Sequence, residues 1–317
     1  MTLVLPLAAK EKGKTAYVSV EVYGYEKQVV SFDFVEKPDA YAEYPYKEGQ
    51  LMEVSTELTD ITMLNVNMWV NICLQPGDSL HAKVTYTGRS YSSVEYSGTP
   101  RAVLLANTLL KIRASRREAD YKANLPAALV VLTDPFAYHK ASLDEWRKEL
   151  SILDEVKGEI SPRVYNYLRS ELDAIFLTNV ILYPFGCAGY QKKKIEECLP
   201  ADYWTALDGY ELRSDEASLH NRGYMSFLMP YAEYMICKRN GGDPNTFKTS
   251  QSARSEYEEI AGFYDGALRD AALFVVLYNE LASNDADYAE CEALVKDYLK
   301  KYNISKEYKQ ILKEIMR

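Results

Sequence analysis

The sequence predicts an α+β protein, with an antiparallel, β-sandwich-like domain over residues 1–98 and an all-helical domain over 99–317. Three observations carry this prediction. Near the start, apolar and polar side chains alternate with a period of two, the mark of a strand with one buried face. Gly24, Pro38, Pro45, Gly49, Pro76-Gly77, Gly88 and Gly98 punctuate the first region as turns. After Thr99-Pro100 the apolar spacing changes from that of strands to that of helices.

Ala16, Val18, Val20 and Val22 alternate with Thr15, Tyr17, Ser19 and Glu21, and Val30, Phe32 and Phe34 alternate with Ser31 and Asp33. Residues 51–58, 61–74, 80–87 and 91–96 supply further β-rich runs. Short strands between turns point to a sandwich or barrel-like sheet. Thr99 suits an N-cap and Pro100 the first helical position, and Val103, Leu104, Leu110 and Ile112 begin a helical stripe. Ser142-Leu-Asp-Glu145 has the spacing of a capping box. Ser161-Pro162 opens the longest helix, with Tyr165, Leu168, Leu172, Ile175 and Phe176 on its stripe and Pro184 expected to stop it. Further helices are expected over 201–208, 223–239, 253–281, 287–301 and 306–316, with Pro230 bending or interrupting the second of these. Residues 240–245 read as a loop within the helical domain, and there is no regular repeat of the kind that builds a solenoid.

Composition narrows the function classes. The chain has 317 residues, of which 37 are Lys or Arg and 46 Asp or Glu, for a net charge of −9. That balance repels polyphosphate and argues against a nucleic-acid surface. A hydrophobic fraction of 47% excludes wholesale disorder. No segment has the ~18–20 uninterrupted apolar residues of a simple membrane span. Residues 1–9 are apolar but short and lack a basic leader; they read either as the tail of an export signal ending at Ala8 and Ala9, or as an ordinary strand-forming or disordered terminus.

Cys73, Cys187, Cys198, Cys237 and Cys291 show no Cys-x-x-Cys spacing, which leaves neither a zinc knuckle nor a dithiol redox motif. Cys73 and Cys237 lie in apolar runs and read as small buried hydrophobes. Cys187 and Cys198 are the nearest pair and could bridge in an oxidising compartment, given suitable geometry.

Gly77-Asp-Ser-Leu80 spells the signature of the GDSL esterases. Ser79 would then need a histidine as base and an acid to orient it. The usual late Asp-x-x-His block is missing, no histidine follows His220, and Asp78-Ser-Leu-His81 overlaps the serine itself. A hairpin turn is the better reading. Gly13-Lys-Thr15 has the ending of a phosphate-binding loop, but position 8 is alanine where glycine is needed, and a strand is expected to follow. His81, His139 and His220 are far apart, without a second histidine at ligand spacing. The 27 tyrosines include local groups at 41–46 and at Tyr224, Tyr231 and Tyr234. Their spread along the whole chain favours packing over a sugar or partner surface. The basic clusters at 192–194 and at Arg113, Arg116 and Arg117 adjoin acidic residues and read as solvated helix faces. The sequence therefore singles out no catalytic, cofactor-binding or metal-ligating residue and implies no cofactor.

Four stretches in order carry a resemblance: Val70-Asn-Ile-Cys-Leu-Gln-Pro-Gly-Asp-Ser-Leu80, Glu95-Tyr-Ser-Gly98, Tyr224-Met-Ser-Phe-Leu-Met-Pro-Tyr231 and Ile304-Ser-Lys-Glu-Tyr308. Together they resemble the N-terminal region of Bacteroides-type periplasmic TlpA-like thiol–disulfide oxidoreductases, in which a β domain precedes a helical segment and a thioredoxin domain comes last. The first stretch looks like that family's strand, Pro-Gly-Asp-Ser hairpin and strand. The departure concerns the chemistry: no Trp-Cys-x-x-Cys is present, so no redox residue can be carried over. Either the thioredoxin domain has been removed from this sequence, or the chain is a natural relative without it. The resemblance implies a non-catalytic, exported accessory region of the periplasm or cell envelope, with a thioredoxin-like domain or a client protein as its partner. The alternatives are a stand-alone glycan- or peptide-binding protein with a tyrosine-lined cleft, and a hydrolase built on Ser79.

Overall fold

The computed structural model describes residues 13–67, 70–88, 90–118, 125–131, 134–248, 252–283 and 287–316. The ambiguous stretch 1–9 lies outside them. The described residues form an α+β fold, with eight strands in two sheets followed by nine helices. By internal contacts the chain divides into two units, Met1–Ala114 and Ser115–Arg317.

In the first unit the valine alternation becomes β1 (Lys14–Tyr23), followed by β2 (Val29–Phe34), β3 (Ala42–Pro45), β4 (Leu51–Leu58), β5 (Thr62–Val66), β6 (Val70–Leu74), β7 (Ser79–Thr87) and β8 (Ser90–Gly98). One sheet has the order β4-β1-β7-β8 and the other β3-β2-β5-β6. Val18, Val20, Leu80, Ala82 and Val84 of the first sheet share one apolar cluster with Phe32, Leu64, Val66 and Ile72 of the second, the arrangement of a β-sandwich. Neighbouring strands pair antiparallel except β1 and β7, which run parallel from Tyr17 opposite Ser79 to Tyr23 opposite Thr85. The chain changes sheet between β6 and β7, so residues 76–79 make a crossover turn and not the hairpin the sequence suggests. Asp78 builds this turn. Its buried carboxylate accepts the Gln75 N–H at 2.8 Å and Arg101 Nε at 2.6 Å, while Arg101 Nη2 donates to the Pro76 carbonyl at 2.9 Å.

Helix α1 (Pro100–Glu118) follows β8 directly. Thr99 precedes it as expected, but its hydroxyl accepts the Ser79 N–H at 3.0 Å and so serves β7. Ala102 and Ala106 join the sandwich core, which draws the first part of α1 into the first unit.

The second unit contains α2 (Leu125–Val131), α3 (Pro135–Glu155), α4 (Pro162–Gln191), α5 (Arg222–Arg239), α6 (Ala253–Phe263), α7 (Gly266–Ala282), α8 (Tyr288–Lys301) and α9 (Lys306–Ile315). Several expected boundaries move. The N-cap of α3 is Asp134, so Ser142 and Glu145 are mid-helix; Glu145 accepts a 2.6 Å hydrogen bond from Ser115. Ser161 caps α4 as expected, but the helix continues through Pro184 to Gln191. Proline removes one backbone bond and crowds the preceding turn. Tyr183, Pro184, Cys187 and Ala188 are all buried, and that packing holds the helix together. Pro230 likewise lies inside an unbroken α5. Over 201–208 the backbone forms a single 3-10 turn at Tyr203–Thr205. The long helix expected over 253–281 is two helices, parted at Tyr264-Asp265 before Gly266 with φ +52°.

By length and apolarity α4 is a candidate membrane span, with 67% of its most apolar window buried in the fold. That burial is also what a core helix of a globular unit displays. Tyrosines supply much of the surrounding core. Tyr203, Tyr224, Tyr234 and Tyr298 are essentially inaccessible. Their hydroxyls are paired: Tyr203 donates to the Ile181 carbonyl at 3.0 Å, Tyr234 to the Tyr203 carbonyl at 2.6 Å and Tyr298 to Asp270 at 2.6 Å, while Tyr224 accepts the Arg213 N–H at 2.6 Å. A buried phenol contributes apolar area and needs one polar partner, and these have one. All five cysteines are buried and outside any disulfide. Burial pushes the Cys187 thiol up to about 11, with the neighbouring Cys198 adding to the shift.

Candidate functional site

One cleft lies wholly within the helical unit. Helix α4 offers Arg169, Asp173 and Leu177 at intervals of four, which places them on one face. Helix α3 contributes Leu143, Trp146 and Arg147, and the loop over 206–215 closes the remaining side. The enclosed volume is about 680 Å3.

Asp173 organises the cleft floor. It is buried, and its two oxygens accept Trp146 Nε1 at 3.0 Å and the Tyr210 hydroxyl at 3.2 Å. Burial raises its pKa above the ordinary carboxylate range, although these donors and the guanidinium groups of Arg169 and Arg213 pull the other way. Tyr210 is itself driven upward, by burial and then by the adjacent carboxylate. The loop is fixed through Arg213, whose Nε donates to Ser218 Oγ at 3.1 Å and whose Nη2 donates to Asn166 Oδ1 at 2.6 Å.

Of the other acidic groups on the wall, which include the exposed Glu211, two are tied to the protein. Asp208 is paired with Lys238, and Asp215 accepts the Ser218 hydroxyl at 2.8 Å and the Ser218 N–H at 3.2 Å. Arg169 differs. Its Nη1 reaches the Tyr165 hydroxyl at 3.4 Å, and its buried Nε has no hydrogen-bond partner. The cleft lining has one hydroxyl nucleophile of the serine type, Ser214, and no histidine or cysteine. This arrangement is suited to holding a ligand by hydrogen bonds, charge and aromatic contact.

The residues weighed from sequence lie elsewhere. Ser79 is tied through its backbone to Thr99, His81 Nδ1 pairs with Ser19 Oγ of β1 at 2.9 Å, and among the described residues no hydrogen bond joins Ser79 to a histidine. Lys14 begins a strand, without the helix a phosphate-binding loop requires. His139 is buried with Nε2 3.4 Å from Asp202 Oδ1, and burial lowers its pKa. The His220 ring packs near Tyr167. Among the described residues no group of three His, Cys, Asp or Glu side chains converges as a metal site. The cleft residues escaped sequence reading because they arrive from separate elements. The available signal was the Arg169/Asp173 pair at helical spacing, which looks like any surface pair.

A smaller hollow of about 220 Å3 is lined by Glu233, Cys237, Thr246, Lys248 and Glu259 among others. Burial, reinforced by Glu256 and Glu259 and opposed by Lys248, raises Glu233 to about 8. Unfolded glutamate titrates near ~4.3, so between these values the native state holds the extra proton. The resulting stability is fully present below the unfolded value and is lost as pH rises through about 8. Glu233→Gln should therefore leave stability nearly unchanged at pH 4 and raise it by roughly 1–2 kcal/mol at pH 9, a figure reduced for the partial solvent screening of the site. Urea melts of both proteins at the two pH values check this; a gain equal at both would refute it.

Compared with known families and curated proteins, the chain matches no family model and no curated sequence significantly.

Proposed function

We propose that this chain is a non-catalytic, exported accessory region that binds and orients a partner, of the kind that precedes the thioredoxin domain in TlpA-like thiol–disulfide oxidoreductases. The observation that carries the binding part of this reading is the 680 Å3 cleft, whose side chains brace one another and include neither histidine nor cysteine. The order of a β-sandwich and a helical unit supports the comparison with that family, as do the four sequence stretches quoted above. Mechanistically, such a region raises the effective concentration of one molecule at another without making or breaking bonds. Its partner would be a thioredoxin-like domain or a client protein, met in the periplasm or cell envelope.

Two measurements test the reading: the native gene sequence beyond the Arg317 codon, and co-purification of this chain with thioredoxin-like proteins of the same organism. A Trp-Cys-x-x-Cys domain encoded downstream, or a stable complex, is the expected result. A stop codon together with no complex overturns it. The cleft also favours a second reading, a stand-alone exported protein that binds a glycan or peptide. Binding of such a ligand with no redox partner in either measurement would select it.

A further inference from the structure

We infer that the cleft of the helical unit is a carboxylate-binding site that takes a short peptide by an acidic group, with Arg169 as the principal contact. This deepens the proposed function by naming the ligand class, and it rests on the reading of the cleft as a binding site.

Much of the hydrogen-bonding capacity of the cleft floor is already engaged by the protein. The Asp173 oxygens are engaged by Trp146 and Tyr210, Asp208 by Lys238, and Asp215 by Ser218. The acceptors nearest the floor are thus committed to the protein. A guanidinium has five N–H donors in a planar fork. That of Arg169 makes one hydrogen bond to protein among the described residues, at 3.4 Å, and leaves its buried Nε unpaired. The Nε is too buried for a ligand in the cleft to reach, so the donors open to one are those of the terminal nitrogens. The unspent capacity of the floor is therefore that of a donor.

A carboxylate needs donors alone and matches a guanidinium fork in shape. A neutral sugar is a poorer match to Arg169, because its hydroxyls donate as well as accept and the acceptors nearest the floor, Glu211 on the wall aside, are taken. Leu143, Leu177 and Trp146 give the same cleft an apolar wall for the side chain next to the acid. The volume of about 680 Å3 falls within the roughly 300–1,000 Å3 of ordinary ligand pockets.

Isothermal titration calorimetry on the full chain provides the test. The probes are an acetylated Ala-Ala-Leu tripeptide with a free C-terminal carboxylate, its C-terminal amide, and a neutral trisaccharide. The free acid should bind at least about 10-fold more tightly than the amide, the order expected for one charge-assisted pair. Arg169→Gln should remove that preference, and Arg169→Lys should keep part of it, with thermal melts showing that both variants are folded. Arg254→Gln, on an exposed arginine outside the cleft that pairs with Glu290, should bind as wild type does. Equal binding of acid and amide, unchanged binding by R169Q, no heat from either peptide at millimolar concentration, or tighter binding of the sugar would each overturn the inference. Complex formation with thioredoxin-like proteins is measured on the same preparations. Loss of peptide selectivity with that complex intact overturns the ligand class alone, and the reverse pattern overturns the accessory reading alone.

Discussion

Asp270→Ala is expected to destabilise the chain by about 3–5 kcal/mol, the cost typical of removing a buried charge that several donors depend on. Asp270 lies on α7 with 3% of its surface exposed. Its carboxylate accepts the Tyr298 hydroxyl at 2.6 Å, Asn303 Nδ2 at 3.3 Å and the Ser305 N–H at 2.7 Å. One side chain thereby ties α7 to the end of α8 and to the start of α9, where Ser305 caps the helix by accepting the Tyr308 N–H. Alanine would leave the Tyr298 phenol and the Ser305 N–H without this acceptor, while the Asn303 amide keeps the Ser305 carbonyl and the Tyr298 hydroxyl. Asp270→Asn keeps the volume but turns an amide group toward donors, so an intermediate loss is expected. Urea unfolding followed by helical circular dichroism measures both. A loss below about 1 kcal/mol for the alanine variant would show that water or a rearranged neighbour replaces the carboxylate.

Gly98→Ala should cost about 2–4 kcal/mol, through backbone strain and a direct clash. Gly98 has φ +136°, and an added Cβ would lie 2.2 Å from the Ser79 carbonyl oxygen and 3.0 Å from Leu80 Cα. Both are backbone atoms of β7, so no side chain can move aside to make room. The Ser79 carbonyl also accepts the Thr99 N–H at 2.8 Å, and a shift that relieves the clash would strain this join between strand and helix. Gly209 provides the control, because its φ is +80° but a methyl group there would meet nothing within 4 Å. Gly209→Ala should therefore cost only the ~1–2 kcal/mol of the left-handed conformation. Equal losses in thermal melts of the two variants would refute the clash.

The fold class was legible because burial imprints a period on sequence. Val18, Val20 and Val22 must share a face whatever they pack against, and Leu168 and Leu172 must share a helical stripe. Sheet order was not legible, since the parallel pairing of β1 with β7 joins segments distant in sequence and nothing local encodes it. Pro184 was misleading as a helix stop because its local cost is met by burial, which a one-dimensional reading does not see, and Pro230 does not interrupt α5. Ser142 and Glu145 had capping-box spacing, yet Asp134 already begins that helix. The cleft was hidden for a related reason: Trp146, Asp173 and Tyr210 meet only after α3, α4 and a long loop have packed.

The sequestered sulfurs bear on the order of events during maturation. Each thiol lies in the packed interior, so oxidants reach it chiefly while the polypeptide is still open. In a compartment where disulfides form readily, collapse must outrun oxidation, and a mispaired bridge made too early would be locked away from repair. Once packed, the chain keeps its thiols out of reach of oxidants in the solvent.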